Sequence, residues 1–334
     1  MRKKTTTTTK FRIATDHDKD YVLDFCKNTF SWGDYIDRVW DIWITEPNSI
    51  FLVAVNVNEN KIEKPIAISH GILIPEKIIW IEGIRVDPKH RSHKLATNIS
   101  LHMLDYARKN GALYSSAIVS IKNEASKGLM EKLGFKVIST WSYLSIKPIV
   151  VPALNNFIIN KSAIKVANLN EYKSVLNFLN QSETFKASGK KFVNSWRWHD
   201  LTEDRLRIMI NNKQVLILVN NDDDDDSNNQ EEKEENKIRG IAIIDEEGYW
   251  NNQNILQFIY IEADSDELLV WLITKSLEWM TSLKRNKNYK KKYHKNQYER
   301  VQLFSPSPIK ENSLIFQKFN INFSEQFLLY HKRI

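Results

Sequence analysis

Apolar residues in the first 150 positions follow two alternating rhythms. Phe11 to Ala14 is a short extended run, after which Asp18 offers an N-cap to a helix carrying Val22, Leu23, Phe25 and Phe30. Beyond the turn at Gly33, Tyr35, Ile36, Val39, Trp40 and Trp43 recur three and four apart until Pro47 and Asn48, which predicts a second helix. Three strand-like runs follow, Ile50 to Val57, Pro65 to Ile74 and Lys77 to Val86, and the Asn- and Pro-containing turns between them predict a meander. Past Pro88, the positions Leu95, Ile99, Met103, Leu104 and Ala107 repeat near 3.6 residues, giving a helix with one buried face that runs to Lys109 and ends at Gly111. A strand Tyr114 to Ser120, a helix Asn123 to Gly134 with a glycine C-cap, and strand material Phe135 to Ile146 complete this half. Strands alternating with helices predict an α/β domain.

The second half repeats that order. Ile164 to Ala167 reads as a strand, Leu169 to Leu179 as a helix and Val193 to Met209 as a further helical stretch. Val215 to Val219, Ile238 to Ile244 and Ile255 to Ile261 read as strands, followed by a helix Glu267 to Leu283. A strand Arg300 to Phe304, a short helix Ser313 to Phe319 and a terminal strand Gln326 to His331 finish the chain. Identity between the halves is slight, so the repeat is one of element order.

Length fits this duplication, because 334 residues exceed one ordinary domain and suffice for two. The expected partition is a disordered tail 1–10, a first domain 11–150, a linker 151–162 and a second domain 163–334 interrupted by loops 220–237 and 284–297. The formal charge of +7 comes from 48 basic against 41 acidic residues, with the excess concentrated in tails and one loop. It therefore argues against a nucleic-acid partner. The acidic run Asn220 to Asn236 lacks the spaced ligands and turn glycine of a calcium loop. The basic run Lys284 to Lys295, with Tyr289, Tyr293 and His294, reads as an exposed loop ahead of an RNA or membrane contact. Cys26 is the single cysteine and reads as a small core residue. Met1 to Lys10 has no apolar stretch behind it, and no run reaches membrane-spanning length, so the expectation is a cytoplasmic protein with no membrane partner.

Candidate chemistry starts where His90-Arg91-Ser92-His93-Lys94 runs into the helix beginning at Leu95. A basic loop at a helix N-terminus offers unpaired backbone N–H groups and the positive end of the dipole, which suits an anion such as a pyrophosphate.

Two separated segments resemble the GNAT superfamily of acetyltransferases. Glu82-Gly83-Ile84-Arg85-Val86-Asp87-Pro88 followed by Arg91-Ser92-His93-Lys94-Leu95-Ala96 is similar to that family's fourth strand and pyrophosphate loop. The family pattern there is Gln or Arg, two residues, Gly, any residue, then Gly or Ala, which Arg91 and Ala96 match while Lys94 replaces the first glycine. Downstream, Asn123, Ala125 and Lys132-Leu133-Gly134-Phe135 resemble the family's ending. The resemblance spans about residues 11 to 147.

It implies a mixed, mostly antiparallel twisted sheet flanked by helices, with a second, degenerate GNAT-like domain in tandem. It also implies acetyl-CoA as co-substrate, held by Arg91, Ser92, His93, Lys94, Leu95 and Ala96 at the loop. Ile84, Arg85 and Val86 would pair with the pantetheine arm, and Asn123 and Ser126 would add contacts. Direct attack by a primary amine, with no covalent intermediate and no metal, needs a general base and oxyanion donors. Trp80, Glu82, Ile84 and Val86 share one face by the period of two, and Glu82 is the only carboxylate among them, so Glu82 is the candidate base and His70 the next. The family's tyrosine acid is Met130 here. Tyr143 is the replacement candidate, or the thiolate leaves unprotonated. Trp32, Asp34 and Tyr35 would line the acceptor cleft, with Asp34 meeting the amine.

In the second half Glu262, Asp264 and Asp266 stand in place of the pyrophosphate loop and would repel phosphate, which predicts a non-catalytic lobe. Two-lobed proteins similar to histidine N-acetyltransferase share that plan, which favours a small amine or free amino acid as acceptor. A protein N-terminus or lysine is the alternative acceptor, and a catalytically inactive CoA-binding or regulatory protein is the alternative to an enzyme. A ribosome- or RNA-associated role for the 284–295 loop ranks last, and the sequence does not fix an oligomeric state.

Overall fold

The computed structural model describes residues 8–31, 33–146, 162–220, 237–245, 255–285, 300–306, 309 and 313–334. The acidic run at 221–236 and the basic run at 286–295 lie outside them. The chain divides into two compact units, one of Met1–Ile138 with Leu329–Ile334 and one of Ser139–Leu328.

In the first unit β1 (Thr8–Ile13), β2 (Ser49–Val57), β3 (Glu63–Ile74) and β4 (Ile78–Val86) pair antiparallel in succession, as the meander predicts. β5 (Tyr114–Ser120) lies parallel to β4. Helices α1 (Lys19–Cys26) and α2 (Ile36–Trp43) cover one face of this sheet and α3 (Leu95–Lys109) the other. Two neighbours in β3 show why. The His70 ring stacks on Trp43 of α2 at 4.5 Å, whereas a Cβ at Gly71 would lie 2.3 Å from the Met103 sulfur of α3. Adjacent strand residues point to opposite faces, so only glycine lets α3 approach this closely. Ile99, Met103, Leu104 and Ala107 are buried, the periodic face expected of this helix. A short α4 (Glu124–Lys132) and β6 (Lys136–Ile146) follow.

The second unit runs β7 (Ser162–Val166), α5 (Tyr172–Gln181), α6 (Glu183–Ala187), β8 (Lys191–Asn194), β9 (Arg197–Asp200) and α7 (Glu203–Asn211). It continues with β10 (Val215–Asn220), β11 (Ile238–Asp245), β12 (Ile255–Ala263), α8 (Asp266–Arg285), β13 (Arg300–Ser305), α9 (Leu314–Lys318) and β14 (Ile321–Arg333). Apart from the β8–β9 hairpin and α7, the order repeats the first half. Leu216, Leu218, Phe258 and Ile261 pack under α8, while Ile217, Ile243 and Ile259 pack under α5 and α7, so this sheet too is covered on both faces.

Two findings depart from the sequence expectations. Val193 to Met209 is not one helical stretch: it opens with the β8–β9 hairpin, whose two-residue turn holds Ser195 and Trp196 at φ of 52° and 63°. Both values belong to a type I′ turn, normally marked by Asn-Gly or Asp-Gly, and Ser-Trp carries no such mark. The strand ends are also exchanged relative to a 150/163 partition. Ser142 to Ile146 of β6 pair with Ser305 to Val301 of β13 inside the second unit. The first unit instead contains Leu329–Ile334, where Ile334 N donates to Leu113 O at 3.0 Å and His331 stacks on Tyr114 at 4.9 Å. Nothing in a strand's local pattern says which long-range partner it pairs with.

Candidate active site

The β4–β5 pairing stops early. It joins Ile78, Ile79 and Trp80 to Tyr114, Ser115 and Ser116, after which the strands part while β4 runs on to Val86. β4 also carries an irregularity, because Ile68 faces Arg85 while His70 faces Glu82, a step of two residues along β3 against a step of three along β4. Gly83 occupies this bulge with φ of 64°, and a Cβ there would lie 2.4 Å from the Trp43 ring. Glycine is therefore required twice, for its backbone conformation and for the space α2 occupies.

The bulge corrects the face assignment. Uninterrupted alternation would put Glu82, Ile84 and Val86 together. Instead Glu82 and Arg85 both point toward α2 and the chain before it, and Val86 packs with Leu95 of α3. Glu82 remains at the divergence of the strands, with its side chain 16% exposed and Oε1 3.0 Å from His70 Nδ1. His70 is fully buried, between Trp43 and the edge of Phe51, and its Nε2 lies 3.5 Å from Glu46 Oε2. Glu46, in the turn after α2, was not anticipated from sequence; an isolated glutamate beside a helix-ending proline gives no local signal.

The expected substrate residues are placed otherwise. Asp34 takes a bidentate pair from Arg85, Nε to Oδ2 at 2.7 Å and Nη2 to Oδ1 at 3.0 Å, and also accepts from the Tyr35 amide at 2.7 Å. The Arg85 guanidinium lies 5.1 Å from the centres of the Phe30 and Tyr35 rings. Burial works against the Arg85 charge, but the ion pair with Asp34 more than compensates and holds it protonated. Asp34 is thus committed to Arg85, and this carboxylate does not present itself to an amine. The Tyr35 hydroxyl is raised by burial and by the Glu82 and Asp34 charges, and Cys26 nearby is pushed up to about 12 by burial and by Asp34, so its thiol is inert. Trp32 lies outside the described residues.

The loop after β4 is built by Asp87. Its buried carboxylate accepts from Lys89 N at 3.0 Å and contacts His90 Nδ1 at 3.0 Å. Arg91, Ser92, His93 and Lys94 are exposed, while Leu95 is buried as the first residue of α3 and Ala96 half-buried. Ser92 and Lys94 have φ of 67° and 59°, so the lysine standing at the glycine position of the family pattern adopts the backbone a glycine would. Together with the unpaired N–H groups of the first turn of α3, the loop gathers donors and positive charge beside the open edge of β4. Asn123 caps α4 by accepting from Ser126 N at 3.1 Å.

Tyr143 lies in the second unit. Its ring packs against Trp196, Phe304 and Phe323, its hydroxyl accepts from Gln302 Nε2 at 3.1 Å, and burial raises it. These are the surroundings of a core tyrosine. The strand exchange instead brings Tyr330 and His331 into the first unit, where His331 Nδ1 is 2.8 Å from Ser116 Oγ at the last paired step of β5. Glu46, His70 and Glu82 each bring a ligand-type atom within 4.8 Å of one another. Among the described residues no helix is long and apolar enough to cross a membrane.

Residues 15–135 match the model of the Acetyltransferase (GNAT) family. No curated relative matches the chain. Among solved structures, a GCN5-related N-acetyltransferase from Sphaerobacter thermophilus is similar over 97% of this chain and 95% of its own, at 10% identity and a TM-score of 0.54. A candidate acetyltransferase from Thermoplasma acidophilum is similar over 97% of this chain and 100% of its own, at 13% identity and a TM-score of 0.51. A GCN5-related glucosamine N-acetyltransferase region of a fungal multi-domain β-N-acetylglucosaminidase reaches 0.57 at 9% identity, over 98% of this chain and 38% of its own. At such identities the likeness is one of fold, and it runs through both units. Residues 15–135, the stretch that matches the GNAT family model, hold the diverging β4 and β5, the glycine bulge and the basic loop before α3.

Proposed function

We propose that the first unit transfers an acetyl group from acetyl-CoA to a primary amine, a small molecule or amino acid in preference to a protein. One observation carries this reading: Glu82 is a partly exposed carboxylate placed where β4 leaves β5, on the strand that feeds the basic loop. In this reading the loop from Arg91 to Ala96 and the first turn of α3 hold the diphosphate. The open edge of β4 from Ile84 to Val86 accepts the pantetheine arm through main-chain hydrogen bonds. Asn123 and Ser126 flank the far side. Glu82 takes the proton from the amine, directly or through a water. The amine lone pair then attacks the thioester carbon, and the carbon–sulfur bond breaks. A free thiol has a pKa of roughly 8.5, so the thiolate departs without a dedicated acid, consistent with a buried Met130 where the family tyrosine would be. His70 is fully buried and serves Glu82 rather than the substrate.

The decisive assay is release of CoA thiol from acetyl-CoA against a panel of amino acids, polyamines and peptides, for the wild type and Glu82→Gln. The expected result is turnover with at least one small amine, reduced by roughly 10² to 10⁴ in kcat in the variant with unchanged CoA affinity. An equal rate in the variant removes Glu82 as base. Met130 and Lys94 favour one rival, a protein that binds CoA without chemistry, which the same assay would reveal as binding with no thiol released.

A further inference from the structure

We propose that Arg85 is a positioning residue: it pins the chain between α1 and α2 to β4 beside Glu82 and so sets the width of the opening through which an amine reaches that carboxylate. The inference rests on the reading of Glu82 as base. Several contacts hold the guanidinium in one orientation. Nε and Nη2 donate to the two Asp34 oxygens at 2.7 and 3.0 Å, and Nη1 donates to Ile84 O at 3.1 Å. The Phe30 and Tyr35 ring centres each lie 5.1 Å from it. Arg85 thereby joins Phe30, Asp34 and Tyr35 to its own strand, and the Gly83 bulge turns it onto the face that carries Glu82. The pinned segment therefore borders the base, whose charge reaches the Tyr35 hydroxyl.

The connecting segment is built as a unit that one anchor can place. Phe30 N donates to Gly33 O and Gly33 N to Phe30 O, both at 3.0 Å, which closes its tip, and Gly33 adopts the φ of 101° that this needs. Asp34 Oδ1 also accepts from the Tyr35 and Ile36 amides at 2.7 and 3.4 Å, so the carboxylate that takes Arg85 orders the entry to α2 as well. The Arg85 and Asp34 side chains are 13% and 4% exposed. At that depth the desolvation of two charges offsets most of their attraction, so a net gain in stability is a weak reason for the pair. Its geometry is the stronger one, because a bidentate guanidinium fixes both the distance and the angle of its partner and a lysine does not. Phe30 remains 37% exposed beside the guanidinium and supplies an apolar wall to the opening.

The test uses the full chain and Arg85→Lys, which keeps the charge and gives up the fork. With the best amine of the thiol-release panel, this variant is expected to raise the amine KM about tenfold, lower kcat by less than about threefold and leave the KM for acetyl-CoA within about twofold. Chymotrypsin under native conditions is expected to cut after Phe30 and Tyr35 faster than in the wild type, out of proportion to any change in the urea midpoint. Phe30→Leu removes a partly exposed ring, leaves the ion pair in place and carries the test if Arg85→Lys does not fold: its amine KM should rise about threefold, with faster cutting after Tyr35. An amine KM equal to that of the wild type overturns the proposal. So does a lower one in Arg85→Lys, which is what a freed Asp34 meeting the amine itself would give. Segment cleavage that does not rise overturns it as well. The digestion decides the pinning even if no amine is turned over, a result that would defeat the functional reading alone.

Discussion

Replacing Lys94 by glycine separates backbone from charge at the loop. Lys94 has φ of 59° and an exposed side chain with no hydrogen-bond or ion-pair partner given among the described residues. A non-glycine residue in this conformation costs about 1 to 2 kcal/mol, and the extra unfolded-state freedom of glycine returns about 0.5 to 1 kcal/mol of that gain. No packing is lost, so Lys94→Gly should stabilise the first unit by about 0.5 to 1 kcal/mol. The ammonium, however, is the group proposed to meet a CoA phosphate, and an exposed, screened charge of this kind contributes about 1 kcal/mol. CoA affinity should fall about fivefold, with a shallower dependence on salt. Urea unfolding and calorimetry with CoA at low and physiological salt read the two effects independently. A less stable variant would contradict the backbone argument; unchanged affinity and salt dependence would remove Lys94 from the phosphate site.

Asp34→Ala is expected to cost about 3 to 5 kcal/mol of stability, because it leaves Arg85 charged and unpaired; a fully stable variant with only a raised amine KM would return Asp34 to the substrate. Gly83→Ala should destabilise by about 2 to 5 kcal/mol, from a strained backbone plus the collision with Trp43, and denaturation midpoints check it. Burial raises the Glu262 carboxyl above its ordinary 4.5, and its Oε2 accepts from Ser182 Oγ at 2.6 Å. The folded state therefore holds the proton more tightly than the unfolded state. The resulting stability is complete below the ordinary value and is lost as pH rises through the raised one. Glu262→Gln should flatten this loss in thermal melts taken from acid to neutral pH, and an unchanged pH dependence would refute it.

Element order in the first half was legible because α2 and α3 carry apolar residues three and four apart and the meander strands are separated by Asn- or Pro-containing turns. α3 ends at Lys109 and β5 spans Tyr114 to Ser120, as its pattern predicts. The place of Glu82 on β4 was legible too, as the lone carboxylate on a strand otherwise apolar up to Arg85. What was hidden depends on long-range geometry. Gly83 reads as an ordinary strand glycine until the β3 register exposes a bulge, and that bulge turns Arg85 toward Asp34. Glu46 joins His70 only through the turn after α2. The exchange of Ser139–Ile146 for Leu329–Ile334 is set by long-range pairing, and it took Tyr143 out of the first unit. The Ser195–Trp196 turn lacked the glycine that normally announces it.

Calorimetric titration of the full chain with coenzyme A tests the central claim most directly. The account predicts one molecule bound per chain, with an affinity that weakens as salt is added and collapses in Arg91→Glu. No heat at millimolar coenzyme A, or binding indifferent to Arg91→Glu, would contradict it.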